Sequence, residues 1–247
     1  MKNAFLLLSF FVLCFTLACT KDDPIVMEEP APEPEPSSLG VGLLFHAPLS
    51  GNADDISSNG LSGTITGATI TSDRNGEPNE AYRFDGENDF INFGQADYLS
   101  LGGAQTYTMT AWVKPELQDN PSTMMIVSKF DGGVAAGWYL GVNAEDKGQT
   151  YRNVNPWATY GENPFPRGTY VHLAATYDGS NLSLYVNGVL DATTPFRTNT
   201  NDRQTDVLVG ANHSRGNPTA FFKGTIDDVR IYNRVLTNEE LTWLATH

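Results

Sequence analysis

The sequence is poor in cysteine and histidine, and the positions of these residues exclude several kinds of chemistry. Its two cysteines, Cys14 and Cys19, both precede the globular part of the chain. The globular part therefore has no disulfide and no thiol nucleophile. The four histidines are too scattered along the sequence to form a zinc-binding motif. His172 lies inside an apolar strand pattern and is expected to be a packed, hydrogen-bonded strand residue.

Positive charge is also scarce. The chain has 15 lysine and arginine residues against 29 acidic residues, a net charge of -14, and residues 40–247 keep 13 basic and 23 acidic residues. Such a balance repels phosphate backbones and leaves no basic stripe, so nucleic acid is excluded as a partner. A cation is a better-matched ligand.

The longest apolar run stands at the start of the chain. Residues 1–18 begin with Lys2 and continue as apolar sequence too short to cross a bilayer comfortably, which is typical of an export signal. Leu17-Ala18-Cys19 resembles a bacterial lipoprotein signal, which implies that Cys19 becomes the acylated first residue. Residues 16–18 also fit an ordinary small-residue cleavage site, which would release a soluble secreted protein.

Residues 19–39 are interpreted as a lipidated cysteine followed by a tether. Lys21-Asp22-Asp23 looks like the lysine and two acids of surface-exposed lipoproteins in Bacteroidetes, which implies an exported outer-membrane lipoprotein at the cell surface. Residues 24–38 are rich in proline and glutamate and have no apolar periodicity. Proline with like charge favours an extended spacer of about 3 Å per residue, so we expect membrane contact only through the lipid anchor.

Residues 40–247 show a period of two in their apolar pattern, which is typical of strands. Many short runs separated by turn signals predict one all-β domain, an antiparallel β-sandwich or jelly roll. The dipeptides Asp178-Gly179 and Asn187-Gly188 predict tight hairpin turns. One short C-terminal helix is predicted after the N-cap Thr237. The predicted strands are residues 41–46, 64–71, 81–84, 90–93, 107–114, 124–130, 138–143, 170–177, 182–187, 207–210 and 221–232.

Asp227 is the acid most in need of an explanation. In a regular strand it would share a face with Thr225, Val229 and Ile231, and Asp228 would point to the opposite face. A carboxylate that is buried without a partner costs several kcal/mol. We therefore expect Asp227 to form an ion pair, to accept several hydrogen bonds or to bind a metal.

Several motifs, in their order along the chain, resemble the laminin-G-like jelly rolls of the concanavalin A-like lectin and glucanase superfamily. They are residues 82–86 (YRFDG), 107–114 (YTMTAWVK), 170–179 (YVHLAATYDG), 184–188 (LYVNG) and 222–234 with the helix that follows. The resemblance covers about residues 40–247 and implies the fold. Because this family serves adhesion, glycan binding and accessory roles on larger enzymes, the resemblance implies function only in general terms.

A calcium site is predicted near the start of the globular part. Asp55, Ser57 and Asn59 place oxygen side chains at alternate positions before a glycine, like the start of a calcium-binding loop. The twelfth position of such a loop is Thr66 and not glutamate, so another carboxylate is needed. The family resemblance implies that Asp227 supplies it and completes a structural Ca²⁺ site. The alternative is that Asp55 and Asn59 cap a turn and that Asp227 accepts backbone hydrogen bonds.

Residues 145–167 form the longest stretch without strand periodicity, with aromatic residues among Asn, Pro and Gly. Tyr151, Trp157 and Tyr160 are the predicted ligand-binding residues in this stretch, because sugar rings stack on aromatic faces while amides take the hydroxyl groups. The alternative is that the stretch covers a sheet with its own apolar side chains.

No catalytic residue is predicted. Glycoside hydrolysis needs two carboxyl groups facing one cleft, roughly 5 to 9 Å apart. The Glu-x-Asp-x-x-Glu strand of catalytic members of the superfamily has no counterpart here, and Asp227 and Asp228 are expected on opposite faces. Asp85, Glu87 and Asp89 also alternate, but their glycine favours a hairpin turn over a metal site.

The sequence thus predicts a non-catalytic cell-surface module that binds a glycan or glycoprotein and carries a structural calcium ion. The alternative is a structural or adhesive surface lipoprotein that binds a protein partner. A glycoside hydrolase or lyase is a third, less favoured hypothesis.

Overall fold

The computed structural model describes residues 35–101, 106–118, 122–152, 158–195 and 204–247. Short strands dominate, because β-branched and aromatic residues alternate with polar ones between glycine-containing turns. The strands are β1 (Leu43–Ala47), β2 (Thr64–Thr66), β3 (Thr69–Thr71), β4 (Ala81–Asp85), β5 (Phe90–Asn92), β6 (Tyr107–Pro115), β7 (Met124–Asp131), β8 (Ala136–Val142), β9 (Gly148–Arg152), β10 (Ala158–Tyr160), β11 (Val171–Tyr177), β12 (Asn181–Val186), β13 (Val189–Pro195), β14 (Leu208–Val209), β15 (Asn212–Ser214), β16 (Asn217–Thr219) and β17 (Lys223–Tyr232). The helices are α1 (Asn238–Leu244) and two 3₁₀ turns, Ser37–Gly40 and Asp97–Leu99.

These strands form two sheets. The first has the order β13-β12-β11-β6-β17-β4-β3, with β1 also paired to β17. The second has the order β10-β9-β8-β7-β14-β5-β2, and the β15–β16 hairpin joins it beside β7. The pairs are antiparallel except for one contact between β15 and β7. This architecture confirms the predicted antiparallel β-sandwich with one short C-terminal helix.

The core lies between the two sheets. The ring of Phe45 on the first sheet meets Phe93, just after β5, edge-on, with ring centroids 4.8 Å apart. Arg152 on the second sheet is buried, and its guanidinium lies 3.8 Å from the ring centroid of Tyr177 on the first sheet. A cation over an aromatic face keeps favourable electrostatics in a dry interior, so this arginine can cross the core.

Two turn predictions and the helix cap are confirmed. Hairpins join β11 to β12 and β12 to β13 at the two predicted dipeptides. Asn187 and Gly188 have φ angles of 50° and 77°, the positive values that a tight hairpin turn requires. The Thr237 hydroxyl accepts a hydrogen bond from the Glu240 N–H, and the Glu240 carboxylate accepts one from the Thr237 N–H, which forms a complete capping box.

Two strand predictions are wrong. Residues 64–71 do not form one strand: β2 belongs to the second sheet and β3 to the first, and the chain crosses between them at Gly67, which has a φ of 74°. The stretch 145–167 is not irregular throughout, because β9 and β10 within it pair at the edge of the second sheet. Both errors arise where local periodicity is short and tertiary pairing decides the conformation.

A β-bulge interrupts β17. Asp227 pairs with Trp112 and Arg230 pairs with Thr110, so three steps along β17 match two along β6. The extra residue is accommodated at Asp228, whose φ of 48° is unusual for a residue with a side chain. The bulge reverses the alternation of faces along the strand.

The chain enters the domain at one end of β17. Leu43 pairs with Tyr232, the last residue of this strand. The compact unit starts at Glu35, and Leu39, in the stretch that the sequence analysis assigned to the tether, is buried against Leu241 and Leu244 of α1. Among the described residues, no helix combines the length and apolar character needed to cross a bilayer.

Candidate functional site

The bulge brings two neighbouring acids to one cavity beside β17. This cavity has a volume of about 330 Å³, and its charged lining includes His46, Arg74, Asp227, Asp228 and Arg230. The prediction that the two acids point to opposite faces is wrong, because the extra residue in the bulge places both on the same cavity. The apolar side chains of the same strand, Ile226, Val229 and Ile231, lie in the core.

Asp227 is held by an arginine. Its carboxylate is 4% exposed and lies 2.6 Å from the Arg74 guanidinium, which also donates to the carbonyl of His247 and lies over the ring of Trp112. Burial raises the pKa of Asp227 to about 7, since the loss of hydration outweighs the attraction of Arg74 and the nearby Asp228 adds repulsion. The expectation that this acid has a partner is confirmed, and the partner in the structure is a cation from a turn after β3.

Asp228 forms the centre of a second set of contacts. Its Oδ1 lies 2.7 Å from Nε2 of His46 and 3.0 Å from Nε of Arg230. Burial by itself would raise the pKa of Asp228, but the hydrogen bond from His46 and the charge of Arg230 hold it well below its usual range. Arg230 also pairs with Glu35, at the start of the compact unit. These contacts join β1, β17 and the entering chain.

The loop predicted to bind calcium is folded around Asp55. The two oxygens of this buried carboxylate accept hydrogen bonds from the N–H groups of His46, Ser57 and Leu61 and from the Ser57 hydroxyl. Ser57 Oγ and Asn59 Nδ2 both donate to the carbonyl of Leu44, at 3.0 and 2.8 Å. The structure therefore brings Asp55, Ser57 and Asn59 together.

This arrangement does not fit the predicted cation as it stands. Calcium requires six or more oxygens acting as acceptors toward it. Here Ser57 and Asn59 act as donors, and Asp227 is occupied by Arg74. In the described part of the chain, no group of three or more His, Cys, Asp or Glu side chains is placed to hold a metal ion. Calcium binding at Asp55, Ser57, Asn59 and Asp227 is untested and stays a prediction, and the observed hydrogen bonds favour its alternative, in which Asp55 and Asn59 stabilise a turn.

The predicted ligand residues have different surroundings. Tyr151 is 6% exposed, stacks on Tyr139 with ring centroids 5.4 Å apart, and donates its hydroxyl to the carbonyl of Ala135. Its ring therefore faces protein. Tyr160 is 58% exposed on the edge strand β10 and offers an aromatic face to solvent. Trp157 lies outside the described residues.

A second cavity lies at the end of the sandwich where β17 begins. We call it the end cavity; its volume is about 330 Å³. The turn between β4 and β5 forms one wall, the segment after β6 forms another, and the residues that lead into β17 form the third. Its lining residues are Asp85, Gly86, Glu87, Gln118, Ser122, Ala220, Phe221 and Lys223. The sequence predicts Asp85 and Glu87 in a hairpin turn and Phe221 and Lys223 in a strand, but it does not predict that these residues meet.

The segment between β4 and β5 is a turn, but the prediction of a hairpin is wrong, because β4 belongs to the first sheet and β5 to the second. Asp85 Oδ1 accepts the N–H groups of Glu87 and Asn88, and Asp89 accepts the N–H of Asp85. The backbone hydrogen bonds to Asp85 lower the pKa of its carboxyl group against the opposing effect of partial burial, which keeps it ionised at neutral pH.

A comparison with protein families decides the relationship. A sequence profile described as the concanavalin A-like lectin/glucanases superfamily, of laminin G type, matches residues 85–242. The chain belongs to this superfamily. A comparison with curated proteins found no match.

Solved structures similar to this laminin-G-type domain include binding domains. Domain 4 of AbnA, an extracellular GH43 arabinanase from Geobacillus stearothermophilus solved with arabinotriose, is 24% identical with a TM-score of 0.61, over 83% of this chain and 98% of that one. The binding domain of Paraclostridial Mosquitocidal Protein 1 is 17% identical with a TM-score of 0.68, over 84% of this chain. The botulinum neurotoxin serotype G binding domain is 15% identical with a TM-score of 0.63, over 82%. This chain spans 52% and 50% of those two toxin domains, and at these identities the likeness concerns the fold.

The superfamily includes both lectins and glucanases, so the fold alone does not decide between binding and hydrolysis. The paired acids Asp227 and Asp228 resemble a catalytic arrangement because their pKa values are displaced in opposite directions. Both are enclosed, at 4% and 11% exposure, and both are engaged by arginines. Ion-pair networks that stabilise a fold displace pKa values in the same way.

His172 has no role in either cavity. It is 2% exposed and packs against the ring of Trp112, and burial lowers its pKa to about 3, so it stays neutral. The prediction of a packed strand residue is confirmed, although its Nδ1 has no hydrogen-bond partner among the described residues.

Proposed function

We propose that this domain is a non-catalytic cell-surface module that binds an extracellular glycan or glycoprotein. The observation that carries the proposal is Tyr160, an exposed aromatic ring on the edge strand of the second sheet. Asn163 follows this strand and is joined to Asp191 of β13 by a hydrogen bond of 2.7 Å, which adds amide and carboxylate groups to this edge of the domain. Aromatic faces that stack on sugar C–H groups, beside polar groups that take hydroxyls, suit a saccharide.

Two similar structures support a binding role. One was solved with arabinotriose, and another is a toxin binding domain. The first of these supports a carbohydrate as the ligand class of this chain, and the second supports a binding role only in general terms.

A polysaccharide binding assay tests the proposal. The full chain is applied to immobilised polysaccharides and to arabinotriose, alongside the variant Tyr160→Ala and the matched control Tyr98→Ala, whose ring is also exposed. Saccharide binding that weakens only in Tyr160→Ala supports the proposal. Release of soluble products, lost in Asp227→Asn, would contradict its non-catalytic part.

The anchor is a further part of this proposal. Acylation at Cys19 and export to the outer membrane would hold the module at the cell surface on the Pro/Glu tether. Intact mass of membrane-extracted protein tests this, because a chain that starts at acylated Cys19 differs in mass from one cut at an ordinary signal site.

A protein-binding role is the second candidate, and the edge strand β13 favours it. Val189 and Leu190 on this strand are 69% and 55% exposed. In the described residues, β13 is paired only with β12 and ends the first sheet. An edge with unpaired backbone groups and apolar side chains can accept a strand from a partner protein. Binding to glycoprotein that survives deglycosylation and is lost in Leu190→Lys would favour this role.

A further inference from the structure

We infer that the end cavity is the principal saccharide subsite of this module and that it selects neutral sugars over acidic ones. The inference rests on the proposed function and assigns it a place that sequence reasoning did not. Three properties of the end cavity carry it: its position, the contacts that join its walls, and its chemical lining.

The end cavity lies far from the point where the chain enters the domain. Lys223 begins β17 and lines the cavity, whereas Tyr232 ends β17 and pairs with Leu43. Nine steps along a strand at roughly 3.3 Å each separate the two ends by about 30 Å. A module held by its N-terminal segment would therefore carry the end cavity on the opposite end from its attachment.

Contacts within the protein join the described residues that line the end cavity. Gln118 donates to the carbonyl of Phe221 at 3.1 Å, and its amide oxygen accepts the Ser122 hydroxyl. The Phe221 ring packs at a tilt against Phe90, with ring centroids 6.5 Å apart. Lys223 pairs with Asp85 across the β4–β17 ladder. Groups that are already ordered lose little entropy when they bind, which favours affinity.

The lining matches a sugar in the kinds of group it offers. Asp85 and Glu87 are acceptors, Gln118 can both donate and accept, and the half-buried Phe221 ring supplies an apolar surface. Within the described ranges, the Lys223 ammonium makes no hydrogen bond or ion pair, so its three donors remain available to a ligand oxygen. The cavity volume falls near the lower end of small-ligand pockets, roughly 300 to 1,000 Å³.

The charges of the lining set the selectivity. Two carboxylates and one ammonium give the end cavity a net negative charge, and the whole chain carries -14. Uronic acids and sulfated sugars are therefore repelled. A metal ion is disfavoured by the Lys223 ammonium in the same cavity. A neutral sugar is repelled neither by the carboxylates nor by the ammonium.

A cross-strand row of the second sheet relates the end cavity to the exposed aromatic ring of the proposed function. The cavity residue Ala220 accepts a hydrogen bond from the Met125 N–H on β7. From Met125 the cross-strand row runs through Gly141 and Gln149 to Tyr160. Three strand spacings of about 4.8 Å place Tyr160 roughly 14 Å along this row. Met125 and Gln149 are buried in this row, so Tyr160 and the end cavity are separate surfaces, and the end cavity residues carry the inference by themselves.

The test compares polysaccharides of different charge with cavity variants. The full chain is run by affinity electrophoresis through gels containing neutral arabinan, xylan or mannan, or acidic polygalacturonate. The variants are Glu87→Gln and Phe221→Ala, and Glu77→Gln is the matched control because Glu77 is an exposed acid outside the cavity. Thermal unfolding verifies that each variant is folded, and the exposed Glu87 keeps the test usable if Phe221→Ala unfolds.

We expect retardation by a neutral polysaccharide that does not change with salt, a loss of affinity of about tenfold in Glu87→Gln and Phe221→Ala, and no change in Glu77→Gln. Neutral binding that is lost in Tyr160→Ala but unchanged in both cavity variants would overturn this inference and leave the proposed function standing. Binding to polygalacturonate alone would overturn the selectivity. No retardation by any polysaccharide would contradict both the inference and the proposed function.

Discussion

Replacing Arg74 with methionine removes the partner of a buried carboxylate and keeps much of the side-chain volume. Asp227 is 3% exposed, and Arg74 is the strongest influence that lowers its pKa. Removing one partner of a buried pair destabilises a fold by about 3–5 kcal/mol. We expect Arg74→Met to approach this loss at alkaline pH and to lose less at acid pH, where Asp227 is protonated.

The pH dependence follows from the raised pKa. An acid with a folded pKa of about 7 and an unfolded pKa of 3.8 gives stability that is fully present below 3.8 and is lost as pH rises toward 7. In Arg74→Met the folded pKa rises further, so this loss continues above pH 7. Since one pH unit above the pKa corresponds to about 1.4 kcal/mol, the variant should lose about 1.4 kcal/mol more at about pH 8 than at about pH 6.

Urea unfolding followed by tryptophan fluorescence measures this difference at the two pH values. Asp228 and Asp73 also act on Asp227, and both are retained in the wild type and in the variant, so their own titration largely cancels in the comparison. The double variant Arg74→Met with Asp227→Asn provides the control, since it has no carboxylate to ionise. Equal losses at both pH values, or a double variant that keeps the full pH dependence, would refute the argument.

Three further predictions concern the cap, a glycine and the calcium loop. Thr237→Ala should lower the free energy of unfolding by about 1 kcal/mol because the N-cap hydrogen bond is lost; an unchanged urea midpoint would contradict this role. Gly224→Ala should cost more than Gly216→Ala, since both have positive φ but only the new Cβ at 224 would lie 2.2 Å from a backbone oxygen, and thermal unfolding compares the two. Because four hydrogen bonds satisfy Asp55, we expect a chelator to leave the melting temperature unchanged, whereas a fall that is absent in Asp55→Asn would show that the loop binds calcium.

The sequence predicts the architecture well because each long strand carries its own signal. The β6 and β11 patterns alternate over seven or more residues, and the Asn187-Gly188 turn has chemistry that few other conformations accept. Most of the failures are short, and the exception is β13, a seven-residue strand that the sequence pattern does not predict. β9, β10, β15 and β16 each have three to five residues, which is too few for a period of two to stand out. Their conformation is decided by pairing with neighbouring strands, β9 with β8, β10 with β9, β15 with β7 and β16 with β15, which local sequence does not record.

The candidate sites escaped prediction for a different physical reason, since each depends on residues that are distant in sequence. Asp227 meets Arg74 across 153 positions, and no local pattern around this arginine marks it as a partner. The bulge that turns Asp228 toward the same cavity adds one residue to a regular alternation, and His46 and Arg230 hold it there. The alternating pattern of a strand predicts which residues share a face. An inserted residue can be identified only from the pairing with the neighbouring strand.

The end cavity also depends on residues that are distant in sequence. Its walls come from three separate connections, and each of these reads locally as an ordinary turn. The pairing of Lys223 with Asp85 brings two of the walls together, and the antiparallel pairing of Gly224 with Pro115 brings the third. Sheet register therefore creates the cavity. The strand order together with these two registers places the carboxylate of Asp85, the amide of Gln118 and the ammonium of Lys223 around one opening. Local sequence motifs do not contain this information.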